Sequence, residues 1–132
     1  MRILINKLNM ITPRQELLLN GVTATTTSRA AGVSGASRLS LQIFASGITS
    51  GSAVFTVEVS NDGTNWVTYN RLTSNVTNTN AQNDARVASV LIGTNAGSML
   101  FIPAGDTFRS IRTVVTPNNT IDGNYSSVLY VD

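Results

Sequence analysis

Hydrophobic and polar side chains alternate along several stretches of the chain, most clearly just before a short polar turn. Phe55, Val57 and Val59 fall on one face of an extended run. Thr56 and Glu58 fall on the opposite face. A period of two is typical of a strand with one buried face. This run is therefore predicted to be a strand that covers a core.

A turn follows this run directly. Asn61 and Asp62 have side chains that can bond their own backbone, and Gly63 can adopt positive φ. Trp66 and Tyr69 come next, in the strand that returns. The whole stretch predicts a β-hairpin, which is an architectural unit and does not define a function.

Similar alternation predicts further strands. Residues 39–45 have one clear core face, whereas residues 73–85 carry a single large apolar side chain and form the longest candidate loop. Later strands are predicted at Arg86–Ile92, Met99–Pro103, Phe108–Thr116 and Tyr125–Val131. About eight short strands separated by turns predict an all-β fold, a single antiparallel β-sandwich that is jelly-roll-like. The residues expected in its core are Leu39, Leu41, Ile43, Phe55, Val57, Val59, Ile111, Val115 and Leu129.

The beginning of the chain allows two interpretations. Residues 1–15 are predicted to form an N-terminal arm or a first strand, and residues 16–132 the β-sandwich domain. Thr12-Pro13 is typical of a helix start, but the β-branched run at 22–27 favours a strand instead.

Residues 1–11 carry apolar side chains that would stay in water if this segment remained free. Such a segment is suited to pairing with an exposed edge strand of another chain. Arg2 and Lys7 would then meet an acidic neighbour. The residues predicted to contact a partner are Arg2, Ile3, Ile5, Lys7, Leu8 and Met10. The alternative, a first strand within its own domain, stays open.

Charged residues make up only 12% of the chain, and 17 Thr, 14 Ser and 14 Asn supply most of the polarity. A surface of hydroxyls and amides has little charge to desolvate on contact with protein, which favours static assembly. Residues 1–38 hold five basic and one acidic side chain, and the remainder four basic and six acidic. Charges this widely spread favour a solvated surface over a nucleic-acid site. No apolar stretch approaches the roughly 20 residues that span a bilayer, and no signal peptide is predicted.

The chain has no histidine and no cysteine, so the commonest general base and the thiolate nucleophile are both missing. Asp62, Asp84, Asp106 and Asp122 stand beside turn-forming residues. We therefore expect no catalytic residues, no enzymatic activity, no cofactor and no metal site. A calcium ion at Asp62 or Asp122 stays an open alternative, although it needs six to eight oxygens.

Residues 51–66, preceded by 38–43 and followed by 108–115, resemble small β-sandwich virion proteins of tailed bacteriophages. The distinctive motif is Ser-Asn-Asp-Gly-Thr-Asn-Trp at 60–66, and the resemblance covers roughly residues 17–131. It implies a non-enzymatic virion protein, made in the host cytoplasm, that decorates or cements a capsid. The implied partners are capsid or tail subunits and copies of the chain itself, with no membrane and no direct nucleic acid.

The same turn is also similar to one in discoidin-type carbohydrate-binding domains, where Arg109-Ser-Ile-Arg112 would have a counterpart. The paired cysteines of many such domains are missing here. This alternative implies a glycan-binding module of a phage fibre or an adhesin, with the 73–85 loop on the same exposed rim. The implied glycan contacts are Asn61, Asp62, Trp66 and Tyr69.

Overall fold

The computed structural model describes residues 13–48, 51–74, 89–92, 97–103, 105–118 and 122–132, and all regular structure in them is extended. The strands are β1 (Arg14–Val22), β2 (Thr26–Thr27), β3 (Ala31–Gly32), β4 (Leu39–Ser46), β5 (Ser52–Ser60), β6 (Val67–Thr68), β7 (Thr73–Ser74), β8 (Ser89–Ile92), β9 (Gly97–Ile102), β10 (Ser110–Asn118) and β11 (Asn124–Val131). The all-β prediction is therefore confirmed.

The strands form two antiparallel sheets. The five-stranded sheet has the order β1-β11-β4-β9-β7. In the six-stranded sheet, β10 pairs with β2 and β3 on one side and with β5 on the other, and β5 also pairs with β6 and β8. Strands that follow one another along the chain mostly lie in different sheets, as in a sandwich.

The pairing is nested from the outside inwards. β1 pairs with β11, β2 and β3 with β10, β4 with β9, and β5 with β8. The chain is thus one long antiparallel hairpin, and the additional pairs β4–β11 and β5–β10 close its rolled form into two sheets. This is the jelly-roll topology, which confirms the predicted fold.

The core lies between the two sheets, and every residue predicted for it is buried. On β4 and β5, the side chains that alternate with the core residues are exposed or half-buried. Phe55 packs edge-on against Tyr125 with 6.5 Å between the ring centroids. Thr113 of β10 and Ser127 of β11 are fully buried, and their hydroxyl oxygens lie 2.8 Å apart. This hydrogen bond joins the two sheets inside the core.

The start of the domain is a strand and not a helix, as the β-branched run favours, but β1 ends at Val22. Its pairing with β11 shifts register twice, on either side of Leu19, and Gly21 has a φ of 64°. Such bulges kink and end a strand. Residues 1–12 and 75–88 lie outside the described residues, and with them most of the predicted arm (1–15), most of the predicted long loop (73–85) and the beginning of the strand predicted at Arg86–Ile92.

Candidate functional site

The predicted turn after β5 is built around one carboxylate. Asp62 Oδ1 accepts hydrogen bonds from the backbone N–H groups of Thr64 (2.8 Å) and Asn65 (2.7 Å), and Oδ2 accepts from the Asn65 side-chain amide (2.8 Å). The Ser60 hydroxyl donates to Oδ1 and accepts from the Gly63 N–H. These hydrogen bonds hold the pKa of Asp62 well below its usual value, and the bond from the Asn65 backbone N–H contributes most. Both carboxylate oxygens thus serve the turn.

Two arginines attach the turn to a neighbouring part of the chain: Arg109, directly before β10, and Arg112, within β10. Asn61 Oδ1 accepts a hydrogen bond from the Arg109 backbone N–H at 3.1 Å. Arg112 donates from Nε to Glu58 Oε1 at 2.7 Å, and its guanidinium carbon lies 4.1 Å from the centroid of the Trp66 ring. A guanidinium over an indole face is an attractive cation–π contact. The two stretches that carry the family resemblance therefore contact each other, and they do so as structural partners.

Tyr69 joins the return segment to the loop before β10. Its side chain is 7% exposed, and its hydroxyl donates to Asp106 Oδ2 at 2.5 Å. The same oxygen accepts from Arg71 Nε at 2.8 Å, and Phe108 packs edge-on against the Tyr69 ring. Burial, followed by the bond to Asp106, raises the pKa of Tyr69 above its usual value, so this hydroxyl keeps its proton. These contacts fix the segment after β6 against the loop before β10.

An open depression of about 300 Å³ lies beside this turn. Its lining combines apolar and amide side chains: Val59, Ser60, Asn61, Asp62, Asn65, Val67, Thr107 and Phe108. Asn61 and Asp62, two of the predicted glycan contacts, line it, whereas Trp66 and Tyr69 do not. Trp66 is half-buried beneath Arg112 and Tyr69 is buried, so the structure does not place all four on one exposed rim.

The excess of basic residues near the beginning of the chain is partly paired within the fold. Glu16 accepts from Arg14 at 2.7 Å and from Arg29 at 2.9 Å, and Arg38 pairs with Asp132. The hydrogen bond from Arg14 makes the largest contribution to lowering the pKa of Glu16. These pairs agree with a solvated surface rather than a phosphate-binding one.

The residues predicted to contact a partner through an arm are outside the described part of the chain, so that hypothesis stays a prediction. They are Arg2, Ile3, Ile5, Lys7, Leu8 and Met10. Within the described residues, no group of three or more acidic side chains is placed to hold a metal ion. The same residues contain no helix long and apolar enough to cross a membrane.

The sequence did not predict a second surface. It is the side of the five-stranded sheet that faces away from the core, called here the outer face. Four large apolar side chains are exposed on it, Leu17 (48%), Phe44 (37%), Phe101 (42%) and Tyr130 (46%). The described side chains on this face of β1, β4, β9 and β11 are uncharged. They are Gln15, Leu17, Ser40, Gln42, Phe44, Ser46, Gly97, Met99, Phe101, Asn124, Ser126, Val128 and Tyr130.

The outer face has a defined relief. Ser40 pairs with Phe101 on one side and Tyr130 on the other, so a small residue lies between two aromatic rings. Phe44 lies further along the same strand and pairs with Gly97, which has no side chain. A Cβ added at Gly97 would lie 3.3 Å from the Phe44 Cβ. One sequence signal for this surface exists, because Phe44 occupies a position of the alternation where Ser40 and Gln42 are polar.

The fold and surfaces described above define this protein as a jelly-roll β-sandwich. Hydrogen bonds to Asp62 hold its turn after β5, and the strand positions of its outer face carry no charged side chain. No protein-family model matches the chain, and no curated protein matches it. Among solved structures it is similar to the SPBc2 prophage-derived protein YomS, with a TM-score of 0.59 and 14% sequence identity. The match covers 93% of this chain and 97% of that chain. The likeness is one of fold, over nearly the whole of both chains.

Proposed function

We propose that this protein is a non-enzymatic structural component of a phage particle, which decorates or cements the capsid through protein–protein contacts. The prophage origin of YomS supports the phage setting. The observation that carries the structural role is the outer face, where exposed apolar side chains occur on an uncharged surface. Large apolar side chains grouped on one exposed face typically mark a protein interaction site.

The use of the acidic side chains supports a role without catalysis. Glu16, Glu58, Asp62, Asp106 and Asp132 each bond an arginine or the backbone of a turn. A general acid or base needs a carboxyl group near a substrate with a pKa matched to the reaction. The lowered pKa values of Glu16 and Asp62 instead suit permanently ionised structural groups.

The test is mass spectrometry of purified phage particles, followed by reconstitution. We expect the polypeptide to co-purify with particles in a fixed ratio to the major capsid protein. Particles produced without it should release their DNA at a lower temperature, and added purified protein should restore the original value. Absence of the polypeptide from washed particles would contradict the proposal.

Glycan binding is a second candidate, supported by the depression beside the turn. Amide groups of Asn61 and Asn65 next to the apolar side chains of Val67 and Phe108 offer polar and stacking contacts together. A glycan array probed with wild-type protein and with Thr107→Arg, whose side chain would fill the depression, tests this candidate. Binding by the wild-type protein that is lost in the variant would favour glycan binding. If the array shows no binding, only the structural proposal stands.

A further inference from the structure

We infer that the outer face is a self-association surface, on which a second copy of this chain packs about a two-fold axis with Phe44 of each copy over Ser40 of the other. The inference rests on the proposed structural role, for which it names one partner. It is carried by the charge, the relief and the size of the face.

The strand positions of the outer face carry no charged side chain, and Arg38 and Asp132, which extend the β4–β11 ladder by one pair, form an ion pair without net charge. This lack of net charge selects the kind of partner. A strongly charged partner would lose hydration without gaining an ion pair. A second copy brings the same hydroxyl, amide and apolar groups and no net charge. The outer face of a second copy is therefore a suitable partner, because it is partly apolar and has no net charge.

The relief of the outer face contains a projection and a matching recess on one strand. Phe101 and Tyr130 are two strands apart, about 10 Å, and Ser40 lies between them on β4. Phe44 is four residues further along β4, about 13 Å from Ser40. Its neighbour on β9 is Gly97, which has no side chain.

A two-fold axis over Gln42 brings these features together twice. Gln42 lies midway between Ser40 and Phe44 on the same strand. An axis parallel to the sheet and perpendicular to β4 reverses the strand of the second copy and places its Phe44 above Ser40 of the first. The reciprocal contact forms at the same time, as an isologous interface requires.

The size of the outer face sets the expected affinity. It measures about 24 Å across the strands and about 20 Å along them, from spacings of ~4.8 Å between strands and ~3.3 Å per residue. Two copies would bury on the order of 1,000 Å² in total, near the lower limit for a specific interface. We therefore expect dissociation constants in the micromolar range in solution, with many copies on a particle acting together.

The experiment measures self-association of the full chain by sedimentation velocity between about 1 and 200 µM, a range chosen for a micromolar dimer. Phe44→Lys should raise the dissociation constant at least about 30-fold, the factor for losing one interfacial hot spot. Ser40→Glu should do the same, because it fills the recess with a charge. Val67→Lys is the matched control: Val67 is 62% exposed but lies on the other sheet, so dimerisation should be unchanged.

Mixing the two interface variants tests the register itself. In a mixed dimer the lysine introduced at position 44 faces the glutamate introduced at position 40, while the other contact keeps the native Phe44 and Ser40. We expect the mixture to dimerise although neither variant does so alone. Circular dichroism and thermal melting confirm that each variant is folded before it is compared.

Three results would overturn the inference: a wild-type chain that stays monomeric, undiminished association of Phe44→Lys, or a mixture that fails to associate. A monomer that binds particles and loses that binding in Phe44→Lys would identify the occupant as another virion protein, which overturns self-association and leaves the proposed function intact. Dimers with the expected variant pattern, from a polypeptide absent from particles, would overturn the proposed function alone.

Discussion

Replacing Thr113 with valine removes one half of the hydrogen bond that joins the two sheets inside the core. Valine has nearly the same shape as threonine, so the change exchanges a hydroxyl for a methyl group. The Ser127 hydroxyl, fully buried and 2.8 Å away, then loses its partner. A buried polar group without a partner costs about 1–3 kcal/mol.

The magnitude depends on whether one member of the pair is changed or both. Thr113→Val should lower the free energy of unfolding by about 1–3 kcal/mol, and Ser127→Ala by a similar amount because it leaves the Thr113 hydroxyl alone. The double variant leaves no unpaired hydroxyl and should lie within about 1 kcal/mol of the wild type. The two single effects are thus strongly non-additive, with a coupling energy of about 1–3 kcal/mol or more.

Urea unfolding followed by the emission of the single tryptophan provides the measurement. For a domain of this size, 1 kcal/mol corresponds to about 3–5 °C in Tm. Thr116→Val, an exposed position on the same strand, is the control and should stay within about 0.5 kcal/mol of the wild type. Additive effects of Thr113→Val and Ser127→Ala would refute the argument that the bond couples the sheets.

Three further changes probe other contacts. Gly123→Ala should destabilise the fold by more than about 2 kcal/mol in urea unfolding, since φ is 147° and the new Cβ would lie 2.6 Å from the Tyr125 hydroxyl oxygen. Arg112→Ala should move the emission of Trp66 to longer wavelength and cost about 1–2 kcal/mol, because the ring loses its cover and Glu58 its partner. Asp62→Asn should lower Tm most near neutral pH. The folded-state pKa of Asp62 is depressed, so its stabilisation is fully present above an unfolded pKa of about 3.8 and is lost progressively as pH falls from there towards the lower folded-state pKa.

Each of these changes has a contradicting outcome. A Gly123→Ala protein with wild-type stability would show that the loop shifts freely. Unchanged emission in Arg112→Ala would mean that the guanidinium does not cover the ring in solution. A Tm difference between Asp62→Asn and the wild type that stays constant as pH falls below about 4 would show that the charge of Asp62 does not cause the stabilisation.

The sequence predicted the parts of the fold in which one face of a strand is buried along its whole length. On β4 and β5 the side chains alternate without interruption, so the strands and their core residues follow directly from the pattern. The extent of β1 could not be predicted in this way, because its pairing with β11 shifts register twice and two successive residues, Leu18 and Leu19, are buried. The two-residue strands are too short to produce a period of their own.

The candidate site was predicted only where it depends on local chemistry. The turn at Asp62 follows from residues that are neighbours in sequence. The contact between Arg112 and Trp66 joins positions far apart in the chain, which only strand pairing brings together. The outer face depends on the strand order as well, since Phe101 and Tyr130 flank Ser40 only because β9 and β11 both border β4.

The nested pairing also governs when the chain can fold during its synthesis. β11 separates β1 from β4 in the five-stranded sheet, and Arg14 pairs with Val131, more than a hundred residues later. At ~5–20 residues per second, a ribosome needs roughly 6–23 s between these two positions. Throughout that interval β1 has an open edge towards a neighbour that has not yet been made, and so has β4 once it has been synthesised. Open edges invite pairing with other chains. The nascent polypeptide is therefore most exposed to aggregation while it is still on the ribosome.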